Sequence, residues 1–157
     1  MIRKANLHDL PRILEIYAYA RQFMRNTGNP TQWKEGTPAE GTLRRDMAAG
    51  QLYVQEDDGV HAVFALILGA DPTYAKIDGA WRSDAPYATL HRVASDGTRH
   101  GVLNQAVEFA KTQCGHLRID THKDNQIMQR AIAKNGFRYC GVILTDDGTP
   151  RLAYEWL

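Results

Sequence analysis

The stretch from Tyr87 to Leu103 constrains this chain more than any other. An apolar, strand-like run from Tyr87 to Ala94 passes without a break into Ser95-Asp96-Gly97-Thr98-Arg99-His100-Gly101. A helical pattern over Gly101 to Thr112 begins at once, with Val102, Ala106, Phe109 and Ala110 on its buried side. A strand that feeds a helix through a short polar turn leaves the first N–H groups of that helix without partners, and the helix dipole adds positive character there. Such a junction is suited to a phosphate or pyrophosphate, with Arg99 and His100 adding charge beside it. It is neither a dinucleotide-binding glycine fingerprint nor the phosphate loop of nucleotide hydrolases. Gly97 and Gly101 have the wrong spacing, and no Gly-Lys-Ser or Gly-Lys-Thr follows.

The rest of the chain supplies elements for one mixed sheet. Ile2 to Ala5 predicts a short strand, and Asp9 with Pro11 opens an amphipathic helix through Ile13, Ile16, Tyr17, Ala20 and Met24 that ends before Gly28. Gly28 to Trp33 is a turn-rich loop carrying an aromatic, and Pro38 to Ala49 predicts a second helix closed by Gly50. Gln51 to Gln55 and Val60 to Leu68 form a hairpin around Asp57-Asp58-Gly59. Gly69 to Pro86 reads as an irregular excursion, a length that is uncommon unless it serves a site. After the Tyr87 junction come a strand at Leu117 to Thr121, a helix at Asn125 to Lys134, a strand at Phe137 to Leu144 and a last strand at Leu152 to Trp156. The expectation is a single α+β domain over residues 1–157, with no linker or repeat.

Composition narrows the partners. The 157 residues carry 19 basic against 18 acidic side chains, a net charge of +1 that gives nucleic acid or an anionic membrane no global attraction. No run approaches a membrane span of about 20 apolar residues, and the opening lacks the apolar segment of a signal peptide. Cys114 and Cys140 are two and far apart, so a reducing, cytoplasmic setting is the expectation.

His91-Arg92-Val93-Ala94 through Phe109-Ala110, Leu117-Arg118-Ile119-Asp120-Thr121-His122-Lys123-Asp124-Asn125, Met128-Gln129, Asn135-Gly136-Phe137 and Pro150-Arg151-Leu152-Ala153-Tyr154-Glu155 resemble the GNAT superfamily of acyl-CoA-dependent N-acetyltransferases, its small bacterial members in particular. The element order agrees over nearly the whole chain. The resemblance implies a mixed, mostly antiparallel, splayed sheet flanked by helices, with pantetheine in the opening and acetyl-CoA as cosubstrate. It places Val93 and Ala94 on the backbone that pairs with pantetheine, Thr98, Arg99, His100, Gly101, Val102 and Leu103 on the pyrophosphate loop, and Asn125 at the cofactor side of the next helix. Asn125 is also a ready helix cap. The loop departs from the family pattern at Thr98 and Leu103, and a bulky Leu103 is expected to crowd the phosphates. The tyrosine that many relatives use as an acid falls at Ile132.

Acyl transfer to an amine needs a route for the amine's proton, a polarised thioester carbonyl and a way to release thiolate. His91 is the first candidate for proton handling. Strand alternation puts Thr89, His91 and Val93 on one face and Leu90, Arg92 and Ala94 on the other. Asp120 and His122 make an acid–imidazole pair if their strand continues, and Tyr139 and Tyr154 are candidate phenolic donors. Glu35, Glu40, Trp33, Trp81 and Tyr87 are candidates for the acceptor pocket. No compact metal motif is present and no metal is expected, and Cys140 reads as an inert buried thiol. The function expected is transfer of acetyl to a primary amine in a ternary complex; the alternative is a noncatalytic acyl-CoA-binding or regulatory protein on the same fold, motivated by Leu103 and Ile132. A third possibility is an interaction module with an abandoned cleft. A homodimer is plausible on general frequency.

Overall fold

The computed structural model describes residues 1–157. In chain order the elements are β1 (Ile2–Lys4), α1 (Leu10–Asn26), α2 (Glu40–Ala48), β2 (Leu52–Glu56), β3 (Val60–Leu68), β4 (Asp78–Gly79), β5 (Ala88–Ser95), α3 (Val102–Gln113), β6 (Leu117–Thr121), α4 (Gln126–Lys134), β7 (Arg138–Leu144) and β8 (Pro150–Trp156). Two 3-10 turns, Leu7–Asp9 and Pro72–Tyr74, precede α1 and β4. The eight strands form one sheet in the order β1-β2-β3-β5-β6-β8-β7-β4, with every pairing antiparallel except β5 on β6. A parallel neighbour requires a crossover, and α3 supplies it.

Helices cover both faces, which is why the central strands read as nearly continuous apolar runs. On one face Ile13, Ile16 and Tyr17 of α1, at helical spacing, and Leu43 of α2 pack on Leu52, Val54, Val63 and Ala65. On the other, Leu103, Ala106, Val107 and Ala110 of α3 and Ile132 of α4 pack on Phe64, Leu66, Leu90 and Ile119. A third, smaller cluster of Tyr74, Tyr87, Ile143 and Ala153 lies beneath the 69–86 excursion.

That excursion is more ordered than its sequence suggests. Asp71 caps the Pro72–Tyr74 turn by accepting from the Thr73 N–H, and Asp78–Gly79 adds a two-residue edge strand to β7. A charged network closes it down. Glu155, fully buried on β8, accepts from the Arg82 N–H at 2.8 Å, from His116 Nε2 at 2.6 Å and from Arg118 Nε at 3.2 Å. The Arg118 guanidinium lies between the rings of Trp81 and Tyr87, 3.9 and 4.0 Å from their centroids, and donates to the Ser83 carbonyl. Trp81 and Tyr87, expected at the acceptor pocket, therefore clamp an arginine instead. Cation–π attraction is strong where the cation is desolvated.

Breaking a buried charge network by neutralising one member leaves the others uncompensated, at a cost of about 3–5 kcal/mol. Glu155→Gln should lose about that much in urea unfolding at pH 7. Burial pushes the Glu155 carboxyl up, but the His116, Arg82 and Arg118 contacts outweigh it and hold it below its ordinary 4.5. A depressed carboxylate contributes fully above its unfolded value and loses that contribution as the pH falls through its folded value. The gap between Glu155→Gln and the parent should therefore close in acid.

Candidate active site

The site begins with a break in β5. Its pairing with β6 runs only from Ala88–Leu117 to Leu90–Ile119, after which the two strands diverge. On the other side, Val63 stands opposite Ala94 and Ala65 opposite His91, so β5 holds an extra residue there. Arg92 takes φ 54°, the left-handed region that a branched or long side chain rarely adopts. This bulge shifts the alternation by one: Leu90 and Val93 pack with the α3 side, while Ala94 joins the α1 side. The expected grouping of His91 with Val93 is corrected accordingly. The strained residue is held at both ends. Its carbonyl accepts from the Tyr17 hydroxyl at 2.7 Å, and its guanidinium pairs with Asp46 of α2 at 2.7 Å. Burial pushes the Tyr17 phenol up, so it stays a donor.

Two cavities open where the strands part. The first, about 220 Å³, is mainly apolar and lies between α1, the Val93–Ser95 backbone and the amino ends of α3 and α4. Its walls include Tyr19 and Phe23, stacked on α1 at 6.4 Å, and Ile127, all unusually exposed for their size. Its end is the 96–101 loop. Gly97 has φ +81°, and a Cβ there would stand 2.5 Å from the Tyr19 hydroxyl, so the loop is seated against α1. Arg12 holds Asp96, Arg99 reaches across to Asp57, and buried Gln55 donates to the Val102 carbonyl at 2.9 Å. The N–H groups of Arg99, His100 and Gly101 have no acceptor in the protein, and the first turn of α3 leaves its own unpaired. Gly101, left-handed at φ 72°, turns the chain into the helix.

The second cavity, about 310 Å³, lies beyond Val93 and is polar. His91 and Asp71 face it, paired Nε2 to Oδ2 at 2.8 Å. Burial pushes the Asp71 carboxyl up, but hydrogen bonds from His91 and Thr73 prevail and bring it to about 2. An ionised carboxylate only accepts, so Nε2 carries the proton and Nδ1 is the nitrogen left open. Asp120 accepts from the buried Tyr74 hydroxyl at 2.6 Å, and Trp33 lines the same cavity, edge-on to Tyr17 at 5.5 Å. Met24, Val93 and Met128 border both cavities, which meet there.

The sequence matches no family model and no curated protein. Solved structures give the answer. A GNAT-family acetyltransferase from Streptococcus agalactiae is 32% identical over 100% of this chain and 94% of its own, with a TM-score of 0.88. This chain belongs to the GNAT family of acetyltransferases. A GNAT-family acetyltransferase from Listeria monocytogenes (16% identity, 99% and 92% covered, TM-score 0.72) and a ribosomal-protein-alanine N-acetyltransferase from Brucella melitensis (19%, 100% and 99% covered, TM-score 0.62) share the fold.

For a GNAT protein the first cavity fits an acyl-CoA: an apolar slot for an extended chain, ending at a cluster of free N–H groups that suits a diphosphate. Val93, Ala94, Val102, Leu103 and Asn125, nominated from the sequence, are among the residues that line it. Thr98 and Arg99 do not. Thr98 folds back on Asp96, and Arg99 turns toward the 57–59 hairpin; His100 and Gly101 border an adjoining groove with Lys134. Leu103 is 8% exposed, packs in the core with Ala106 and contributes to the wall of the cavity. Asn125 caps α4 by accepting the Met128 N–H, and its amide donates to Gln32 Oε1 at 3.0 Å.

Of the other candidates, Asp120 lines the second cavity and the rest lie outside both. Asp120 and His122 do not meet, since β6 ends at Thr121 and Asp120 is bound to Tyr74. Tyr139 is exposed on β7, edge-on against the core residue Tyr154, and neither lines either of the two cavities. Glu35 pairs with Arg25 and Glu40 with Arg44 at the surface. Cys140 is buried, and burial raises its thiol. Asp71 was missed by sequence reasoning; its only local signal is Asp-Pro-Thr, a cap for a short turn.

His122 is a loop brace. Nδ1 accepts the Asp124 N–H at 3.0 Å, so Nε2 carries the proton and faces Thr31 Oγ1. Burial lowers its pKa below the ordinary 6.5. Long-range 1H–15N correlation spectra should show His122 as the neutral Nε2–H tautomer at pH 7, charging only below pH 6.5. An imidazolium at pH 7 would contradict the assignment.

Proposed function

We propose that this protein transfers acetyl from acetyl-CoA to a primary amine by direct attack in a ternary complex. The observation that carries the proposal is the meeting of the two cavities at Val93, one shaped for an acyl-CoA and the other holding the His91–Asp71 pair.

Each demand of the reaction has a residue to meet it. The free N–H groups of residues 99–101 and the first turn of α3 hold a diphosphate, with Tyr19, Phe23 and Ile127 covering the apolar arm. Val93, out of register with both neighbouring strands, offers its backbone to the amide and thioester groups beside it. Fixing two reactants in one geometry removes much of the entropic barrier. On the amine side, Asp71 orients the His91 ring and balances the charge that forms as Nδ1 takes the amine's proton, directly or through one water. An ordinary thiol ionises near pH 8.5, so release of thiolate demands little of the protein. The absence of a tyrosine at Ile132, a fully buried core position, is compatible with turnover for that reason.

Calorimetric titration should give saturable 1:1 binding of acetyl-CoA, with CoA and dephospho-CoA as comparisons. Absence of binding by acetyl-CoA and CoA alike would overturn the assignment. Gly97→Ala, which forces a left-handed alanine against Tyr19, should weaken that binding by about tenfold. His91→Ala should keep acetyl-CoA affinity and lower kcat on an amine by about 100-fold or more. Cofactor binding without transfer to any amine would favour the noncatalytic alternative.

A further inference from the structure

The second cavity contains a cation with no carboxylate in contact, although Asp120 and Asp147 lie near enough to favour its charge. Arg151, the second residue of β8, lies opposite Ile143 in the β7 register and lines the cavity that holds His91. Its Nη2 donates to the Gln32 carbonyl at 3.1 Å, and its Nε is buried with no partner at all. Three other arginines of low exposure are paired, while half-buried Arg21 donates only to the Thr37 carbonyl. Arg3 pairs with Asp9 and Glu56, Arg92 with Asp46, and Arg118 with Glu155, whereas no carboxylate comes within 4.0 Å of Arg151. Burial lowers the Arg151 pKa, yet a guanidinium stays charged throughout the accessible range. An enclosed charge with an unfilled donor is costly, and a planar fork of N–H groups matches a carboxylate.

We propose that Arg151 binds a carboxylate of the acceptor, so that the amine acetylated by this protein belongs to a small amino acid. This rests on the acetyl-transfer reading for the cavity's role, though the charge it selects does not. Three further observations fit. The cavity, about 310 Å³, is at the small end of ligand sites, which run roughly 300–1,000 Å³, and so suits a metabolite. Asp120 lines it too, with one oxygen on Tyr74 and the other unpartnered, and an anion beside a cation suits a zwitterion's ammonium. Arg92, the other guanidinium at this cavity, is neutralised by Asp46, and Asp71, Asp120 and Asp146 add negative charge. A singly charged carboxylate is favoured over a phosphate dianion on that balance.

The test uses the full chain with glycine, alanine, serine, methionine, glutamate and lysine, each beside its primary carboxamide. Acetyl transfer is followed by CoA release. Binding of the N-acetyl amino acids and their amides to CoA-loaded protein is measured by calorimetry. At least one acid should exceed its amide by about 30-fold or more in kcat/KM and in affinity. Arg151→Gln should bring the pair within about threefold of each other, with acetyl-CoA affinity unchanged, and Arg151→Lys should restore part of the preference. Equal handling of acid and amide by the parent protein would overturn the proposal, whether or not Arg151→Gln folds. A parallel loss for acid and amide in Arg151→Gln would also overturn it, reducing Arg151 to a brace for the Gln32 loop. Transfer to amides and simple amines alone would sink this inference and leave acetyl transfer standing. Carboxylate-selective binding without transfer would sustain it and remove the acetyl-transfer reading.

Discussion

The site depends on the conformation of one residue. Arg92 at φ 54° interrupts β5, and a left-handed, long-chained residue in a strand persists only where its surroundings hold it. Tyr17 takes its carbonyl and Asp46 its side chain, one from α1 and one from α2. The two helices that cover this face therefore also fix the bulge. The candidate site follows from that: the loss of pairing with β6 past Leu90, the cleft between the strands, and the placement of His91 in the second cavity with Val93 where the two cavities meet.

The second determinant sits on the neighbouring strands β6 and β8. Glu155, His116 and Arg118 tie the 69–86 excursion to β6 and β8, and Tyr74 of the excursion stacks on Tyr87 just beyond it at 6.1 Å. Tyr87 also accepts the Asp71 N–H, so the clamp on Arg118 and the partner of His91 belong to one connected unit. Stability and site geometry are supplied here by the same side chains.

How much of this was legible depends on range. The α3 junction, the hairpin at Asp57-Asp58-Gly59 and the amphipathic helices have signatures within a few residues, and they stand where the sequence put them. The bulge has none: His-Arg-Val-Ala alternates as an ordinary strand would, and its cause lies on Tyr17 and Asp46 far away in the chain. The His91–Asp71 pair spans 20 residues and an irregular loop, so alternation could nominate His91 but not its partner. Strand alternation failed for Asp120 and His122 for a simple reason, that the strand stops between them. Arg151 stood in the sequence as a residue of family resemblance; its unfilled Nε becomes visible only once the carboxylates around it are placed.

The way the 96–101 loop is held has an evolutionary consequence. Its position is fixed from outside, by Tyr19 against Gly97, Arg12 on Asp96, Arg99 on Asp57 and Gln55 on the Val102 carbonyl. What such a loop presents to an anion is backbone, which every residue possesses. The side chains of Thr98, bonded to Asp96, and Leu103, packed in the core, serve the fold, so residues other than the family's preferred ones leave the amides in place. Tyr19, Arg12, Asp57 and Gln55, which seat the loop, all stand outside it, beyond the reach of any pattern written in the loop's own letters.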